Sequence, residues 1–521
     1  MVQNNPRFAF LRGEHNKKFL ALNVMFAILY FVAITFFFEH GNIYLFVALI
    51  IGEVFHIWQI IGFSATTWNP VQDRRFDEKF DRAADEFITV AGEPVEIVEE
   101  TVRAAKAMKY PNFSIHILND GFVAKKDNWQ DIEKLAVRMG VNCITRRIPG
   151  GAKAGNLNNG LRQTTSPYVV VFDADHVPKP DFLKKTMGYF VDERMGFVQT
   201  PQFYKNQKVN TVAQTAWDQQ SLFFGPIMKG KNRSNSVFMC GTNMVLSREA
   251  LNEAGGMCEF NIAEDFLTSL FIHEKKWQSV YVDEVLAEGL APEDFLSYYK
   301  QQFRWTRGSL EVIFRYNPLF RRGLSWKQKF QYLASASYYL SGSVVLIDAL
   351  IPLVFLYSGV TAITTSSMTL ALIFLPYIFL SLYLLQKTSN YSYTFRAISF
   401  SISSFYLQIH ALIAVLRNQK TSFVVTSKSA IQGNFLYLAI PHMIYIALVV
   451  IGVALAVSRE GVSNSLIANT AWAVVNIVAF IPFIMAAAPD VKSKIRTFKD
   501  SHDMFLSRKS PQKSEVAKEN V

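Results

Sequence analysis

Val169-Val170-Val171-Phe172-Asp173-Ala174-Asp175 is four apolar residues followed by two carboxylates one residue apart. An apolar run of this length reads as a strand buried on both faces, the kind found in parallel sheets covered by helices. In open α/β sheets ligands bind at the carboxyl ends of strands, where Asp173 and Asp175 stand. Two close carboxylates suit Mg2+ or Mn2+, hard cations that take oxygen ligands and also bind diphosphates. The plain alternative for an isolated Asp-x-Asp is a turn or a helix cap; its place directly after the strand favours the ligand reading.

Outward from this strand, short apolar runs recur at Phe87–Val90, Ser114–Leu118 and Gly196–Gln199, with helical patterns such as Val95–Lys109 between them. Alternating strands and helices predict an α/β domain with a mostly parallel sheet over residues 66–330. Apolar segments flank it. Residues 19–38 and 43–63 read as a transmembrane hairpin within 1–65, and spans follow near 337–358, 367–386, 434–457 and 467–488. Residues 394–417 carry an apolar repeat (Ile398, Ile402, Phe405, Ile409, Leu412, Leu416) interrupted by Ser399, Ser403, Ser404, Gln408 and His410. That pattern predicts an amphipathic helix in the membrane interface.

Six spans leave the outer loops 39–42, 359–366 and 458–466 with one basic residue, Arg459. Lys387, Arg396, Arg417, Lys420, Lys428, Lys492, Lys494 and Arg496 then fall inside, with the α/β domain in the cytoplasm. The organisation expected is a hairpin (1–65), a cytosolic domain with interface helices (66–330), C-terminal spans (331–490) holding the interface helix and a loop at 418–432, and a disordered cytosolic tail (491–521).

Composition agrees with a multi-pass protein of the cell membrane. Half of the 521 residues are hydrophobic, 18% are charged, and the net charge is +11. No basic-aromatic module points to nucleic acid. Cys143, Cys240 and Cys258 lack metal-ligand spacing and form no disulfide framework.

Three further stretches carry chemistry. Gly150-Gly151-Ala152-Lys153-Ala154-Gly155 offers close backbone approach and one cation for phosphate, without P-loop spacing. Ala263-Glu264-Asp265 precedes a helical run and reads either as an acidic site or as a helix start. In Gln301-Gln302-Phe303-Arg304-Trp305, residues Gln301, Arg304, Trp305 and Gly308 share one helix face. That face is either a cation for diphosphate with an aromatic for sugar stacking, or a membrane-interface belt. Intramembrane Glu53 and His56 either line a passage or pair structurally.

In this order, and with Asp173-Ala174-Asp175-His176-Val177-Pro178, Asn317-Pro318-Leu319-Phe320-Arg321-Arg322-Gly323-Leu324 and Phe423-Val424-Val425-Thr426-Ser427-Lys428, the motifs resemble the processive family-2 glycosyltransferases, specifically the bacterial cellulose synthase catalytic subunit, over about residues 85–490. The resemblance implies a GT-A type, Rossmann-like domain between transmembrane helices. It implies donor contacts from Thr89, Glu93, Asp120, Lys153, Asp173, Arg304 and Thr426, the last in a loop that closes over the donor. It implies metal binding by Asp175 with Asp173, acceptor contacts from Trp305, Gln301, Phe238 and Cys240, and Asp265 as general base beside Glu264. The implied reaction is inverting transfer from a UDP-sugar, with UDP-glucose favoured, to a growing β-glucan that crosses the membrane.

Four positions depart from the family pattern. Val90-Ala91-Gly92-Glu93 replaces Tyr-Asn-Glu, Asn119-Asp120 replaces paired acids, Ala263 replaces Thr, and Gly151 replaces His. The family usually continues into a cyclic-di-GMP-binding barrel. Only about 30 polar residues follow the last span here, so direct control by that nucleotide is not expected. The alternatives are another β-linked polysaccharide from a different UDP-sugar, transfer to a lipid acceptor, and, from a different class, a non-catalytic transporter.

Overall fold

In the computed structural model, which describes residues 5–70, 74–419, 431 and 433–488, strands β1 (Ala84–Val90), β2 (Phe113–Asn119), β3 (Asn142–Thr145), β4 (Tyr168–Asp173), β5 (Met195–Gln199), β6 (Met244–Ser247) and β7 (Gln278–Tyr281) form one sheet, ordered β7-β5-β6-β4-β1-β2-β3. Neighbours are parallel except β6, which runs antiparallel to β4 and β5. β1 is buried along its whole length, as its place in the middle of a covered sheet requires. The chain builds from β1 toward β3, then returns to the other side of β1 with β4. This reversal opens a crevice at the carboxyl ends of β1 and β4, where the register sets Thr89 beside Asp173. Strands β3, β6 and β7 have four residues each, too short to announce themselves by periodicity.

Among the described residues, seven helices are long and apolar enough to cross a membrane: Lys17–Phe37, Ile43–Thr67, Trp326–Ser358, Ser367–Thr388, Phe395–Leu416, Leu436–Glu460 and Asn464–Ala487. The first two pack against each other as a helical hairpin. The Asn42 side chain caps the second by accepting from Tyr44 N and Leu45 N. The short loops 39–42 and 359–366 meet at one end of the bundle, where Glu39 pairs with Thr364 and His40 with Ile363. At the other end of Ile43–Thr67, Thr66 abuts Gly230 of the α/β domain: a Cβ there would lie 2.2 Å from Thr66 O.

The stretch read as an interface helix is by length and composition a seventh candidate span, and the most buried of the seven. It runs as two helices, Phe395–Ser403 and Phe405–Leu416, which meet at Ser404. The polar residues that interrupt its pattern mostly face protein. The Ser399 and Ser403 hydroxyls donate to Ala479 O, and Gln408 Oε1 accepts from Ser341 Oγ at 2.9 Å. His410 is exposed. Much of the apparent amphipathicity is thus helix–helix hydrogen bonding, which a one-dimensional pattern does not separate from contact with water.

The N-terminal segment adds a connection that the sequence does not announce. Phe8 and Phe10 of the short helix Pro6–Arg12 are buried in the core of the α/β domain. Phe8 meets Phe203 edge-on at 5.2 Å, and Phe10 meets Trp217 at 4.9 Å. The same segment is held by the membrane bundle through Asn390 Nδ2 to Ala9 O (3.1 Å) and Glu14 N to Lys387 O (3.0 Å).

Candidate active site

Lys153 lies at the start of the helix Ala152–Gln163, whose preceding Gly151 is left-handed at φ +64°. This turn aims the lysine at the end of β4. Its ammonium ion-pairs with Asp173 and donates to Gly241 O at 2.8 Å. Thr89 Oγ1 donates to the same Asp173 oxygen at 3.1 Å, and Asp173 N donates to Thr242 Oγ1. Burial alone would lower the Lys153 pKa. The charges of Asp173, Glu264 and Asp265 outweigh it, and the lysine stays protonated.

Asp175 is 2% exposed, with Oδ2 accepting from Leu290 N at 3.1 Å. Asp173, Asp175 and His176 offer ligand atoms that all lie within 4.8 Å of one another. His176 is buried with neither ring nitrogen hydrogen-bonded, which fits a group held ready for a cation. Two carboxylates and an imidazole suit Mn2+ and accept Mg2+.

The second acidic pair comes from the helix Glu264–Glu274. Glu264 and Asp265 occupy its first turn, and no side chain caps it. The helix dipole favours their ionised forms, yet burial wins. Burial first, then the Glu264 charge, pushes Asp265 up to about 7; burial also raises Glu264, against the pull of Lys153. A general base that titrates near neutrality is what proton abstraction from a hydroxyl needs. Gly241 is where Asp265 and Lys153 converge. A Cβ there would lie 3.1 Å from Asp265 Oδ2 and 3.6 Å from Lys153 Nζ, and its φ of +82° already favours glycine.

Gln301, Arg304 and Trp305 lie on the helix Phe295–Arg315, opened by the Asp294 side chain accepting from Ser297 N. All three line the same cavity as Lys153, Asp173, Asp175 and Asp265. Burial lowers the Arg304 guanidinium, while Glu264, Asp173 and Asp265 pull it back up. Gly308, on the same face, lets this helix touch the acidic pair's approach: a Cβ would lie 2.4 Å from Ala263 Cβ. Gly308→Ala is therefore expected to lower stability by about 1–3 kcal/mol through overpacking, against a helix-propensity gain of about 1 kcal/mol. A reduced melting temperature in detergent, together with reduced turnover, is the check.

The other sequence-derived residues sit as follows. Glu93 accepts from Ala91 N at 2.6 Å and lines the cavity. Phe238 and Cys240 line it as well; burial, then the Asp265 charge, raises the Cys240 thiol well above its usual range. Asp120 is held by Arg146 through two 2.6 Å bonds, both side chains being largely buried. Arg146 also bonds Gly150 O and Ala152 O, so it ties Asp120 to the lysine loop. Arg146→Gln would strand a buried carboxylate at a cost of about 3–5 kcal/mol, measurable as lost unfolding stability. Thr426 lies outside the described residues.

Arg146, Tyr204 and His176 line the cavity, and the sequence assigns no role to any of them. Tyr204 faces Asp173, Asp175 and Arg304 and hydrogen-bonds Gln301; burial raises its hydroxyl, with Asp175 adding to it. His176 had a signal, since it directly follows Asp175. Tyr204 had none, because a two-residue strand brings it in from elsewhere in the chain.

The cavity has a volume of about 910 Å3 and does not end at the acids. It continues past Phe238, Tyr338 and Tyr339 into the membrane bundle, where Asn23, His56, Gln59 and Ser381 line it. His56 Nε2 bonds Asp348 Oδ2 at 3.0 Å across two helices, so His56 both lines the cavity and pairs structurally.

Residues 87–308 match the glycosyltransferase-like family 2 model, and residues 253–487 match the cellulose synthase model. The chain carries a family-2 glycosyltransferase-like domain and a cellulose synthase domain. A putative cellulose synthase 2 of Komagataeibacter xylinus is 30% identical over 77% of this chain and 27% of its own length. A cellulose synthase catalytic subunit (UDP-forming) of Pseudomonas fluorescens is 28% identical over 84% of this chain and 60% of its own. The chain thus spans between about a quarter and three fifths of the length of these two relatives. Among solved structures, a mannosyltransferase from Pyrobaculum calidifontis in complex with GDP-Man and Mn2+ aligns over 72% of this chain and 99% of its own, at 14% identity and TM-score 0.48. With its apolar helices, this chain is a multi-pass membrane protein.

Proposed function

We propose that this chain polymerises a β-linked, cellulose-like glucan from UDP-glucose and passes it through its own membrane helices, with the α/β domain in the cytoplasm. The observation that carries this reading is the continuity of one cavity from the Asp173–Asp175 end to His56 and Gln59 in the bundle. Its walls alternate aromatic faces, which stack on pyranose rings, with amides and hydroxyls that bond sugar hydroxyls.

The residues divide the work. The crevice between β1 and β4 takes the nucleotide, with Thr89, Glu93 and the Arg146-held Asp120 around it. Trp305 and Phe238 hold the terminal sugar of the acceptor, and Gln301 steadies Tyr204 beside them. Asp265 takes the proton from the acceptor hydroxyl. That oxygen attacks the anomeric carbon as the bond to the diphosphate breaks. Lys153 and Arg304 stand where the leaving diphosphate gains charge, so the stabilising cations are in place beforehand. One displacement converts an α-linked donor into a β-linked product. Asp173, Asp175 and His176 would hold Mg2+ or Mn2+, which adds Lewis-acid stabilisation of the diphosphate when bound.

The test is incubation of the purified protein with Mg2+ and radiolabelled UDP-glucose, then digestion of the product with a β-1,4-glucanase. A long, digestible polymer is the expected result. A resistant polymer would replace the linkage, polymer from another UDP-sugar alone would replace the donor, and a labelled lipid would replace the acceptor. UDP release by no donor at all would overturn the enzyme reading.

A further inference from the structure

The segment that follows the Arg304–Trp305 helix has no role in this chemistry, yet its surface is unusual. Phe320 is 82% exposed and Trp326 76%, with Leu319 partly exposed beside them. Such large apolar groups in the open mark an interaction surface. They are held as one patch: Lys329 Nζ donates to Leu319 O at 2.9 Å and lies 4.7 Å over the Trp326 ring. The Ser325–Gln328 capping box fixes the start of the helix that carries Trp326 and Lys329.

The charge around the patch has one sign. Between Val312 and Ile347 there are five basic residues, Arg315, Arg321, Arg322, Lys327 and Lys329, and no acidic one. Lys276 joins them by donating to Gly323 O. The one carboxylate clamped to this segment, Glu274, is neutralised by two bonds from Arg321. Arg322 and Lys327 are exposed.

The patch is also continuous with the membrane part of the protein. Trp326 opens the helical stretch Trp326–Ser358, which contains one of the seven candidate spans. Aromatic residues with lysines and arginines at the end of a span are the chemistry of the headgroup layer.

We infer that residues 319–329 form a membrane-surface dock that seats the aromatic side chains among headgroups and selects anionic phospholipids of the bilayer that holds the spans. Phe320 and Trp326 enter the headgroup layer, while Arg322 and Lys327 pair with the phosphates. The dock fixes the height of the helix Glu264–Glu274 above the bilayer, because Arg321 grips its last residue. This inference does not rest on the proposed reaction.

The experiment uses the full-length protein in nanodiscs of equimolar phosphatidylglycerol and phosphatidylcholine, followed by native mass spectrometry of the lipids retained in detergent. Wild type is expected to keep phosphatidylglycerol in preference. Arg322→Gln/Lys327→Gln is expected to lower that preference on the order of 10-fold. The control pair Lys106→Gln/Lys134→Gln, on helices packed against the sheet, should leave it unchanged. Equal retention of the two lipids by wild type, or undiminished retention by the double variant, would overturn the dock.

Discussion

Asp265→Asn is expected to remove almost all polymerisation while leaving the protein folded. The substitution is isosteric, keeps the bond from Phe266 N to the side-chain oxygen, and deletes only the ability to accept a proton. General-base catalysis is worth about 10^2–10^4 in rate, and UDP release should fall within that range. The pH profile gives a sharper signature. With Asp265 raised to about 7 by burial and by Glu264, the carboxylate is mostly protonated at pH 6 and mostly ionised at pH 8. Only the ionised form accepts the acceptor's proton, so wild-type turnover should climb through neutrality and level off above it. Residual turnover in the variant should lack this limb. A wild-type rate flat between pH 6 and 8 would remove Asp265 from the base role.

The second large effect concerns the cation cluster. Chelation with EDTA should stop UDP release, and Mn2+ or Mg2+ should restore it. Asp175→Asn keeps the shape of a buried side chain but removes its charge. Losing several kcal/mol of charge stabilisation on the diphosphate implies a fall on the order of 100-fold or more, together with a higher metal concentration for half-maximal rate. Lys153→Gln makes the contrast. It should cut turnover even at saturating metal, because Lys153 supplies positive charge to the diphosphate that the cluster does not replace. Metal-independent wild-type activity would exclude this division of labour.

Much of this site was legible in the sequence where the signal is local. A strand that ends in Asp173-Ala174-Asp175, a helix face carrying Gln301, Arg304 and Trp305, and an acidic helix start at Glu264-Asp265 each announce themselves within a few residues. What stayed hidden depends on distant parts of the chain. Arg146 reads as an ordinary basic residue until the fold sets it against Asp120. The meeting of Asp265 and Lys153 beside Gly241 is likewise invisible until the chain folds. The stretch 394–417 stays open between interface helix and span for a related reason, since a serine that bonds a neighbouring helix and a serine that faces water look the same in one dimension. Phe8 and Phe10 alternate over too short a stretch to be read as an element, and only Phe203 and Trp217 give them a purpose.

The strapping of that N-terminal segment also constrains how the protein is made. Phe8 and Phe10 leave the ribosome well before their partners: Phe203 and Trp217 follow about two hundred residues later, and Lys387 and Asn390 later still. At about 5–20 residues per second, two exposed phenylalanines wait tens of seconds for their pocket, next to a hairpin already bound for the bilayer. During synthesis the nearest apolar shelter is the membrane itself. Assembly therefore has to draw this segment back from the lipid surface into the catalytic core, a late step that closes the enzyme only after most of the chain exists.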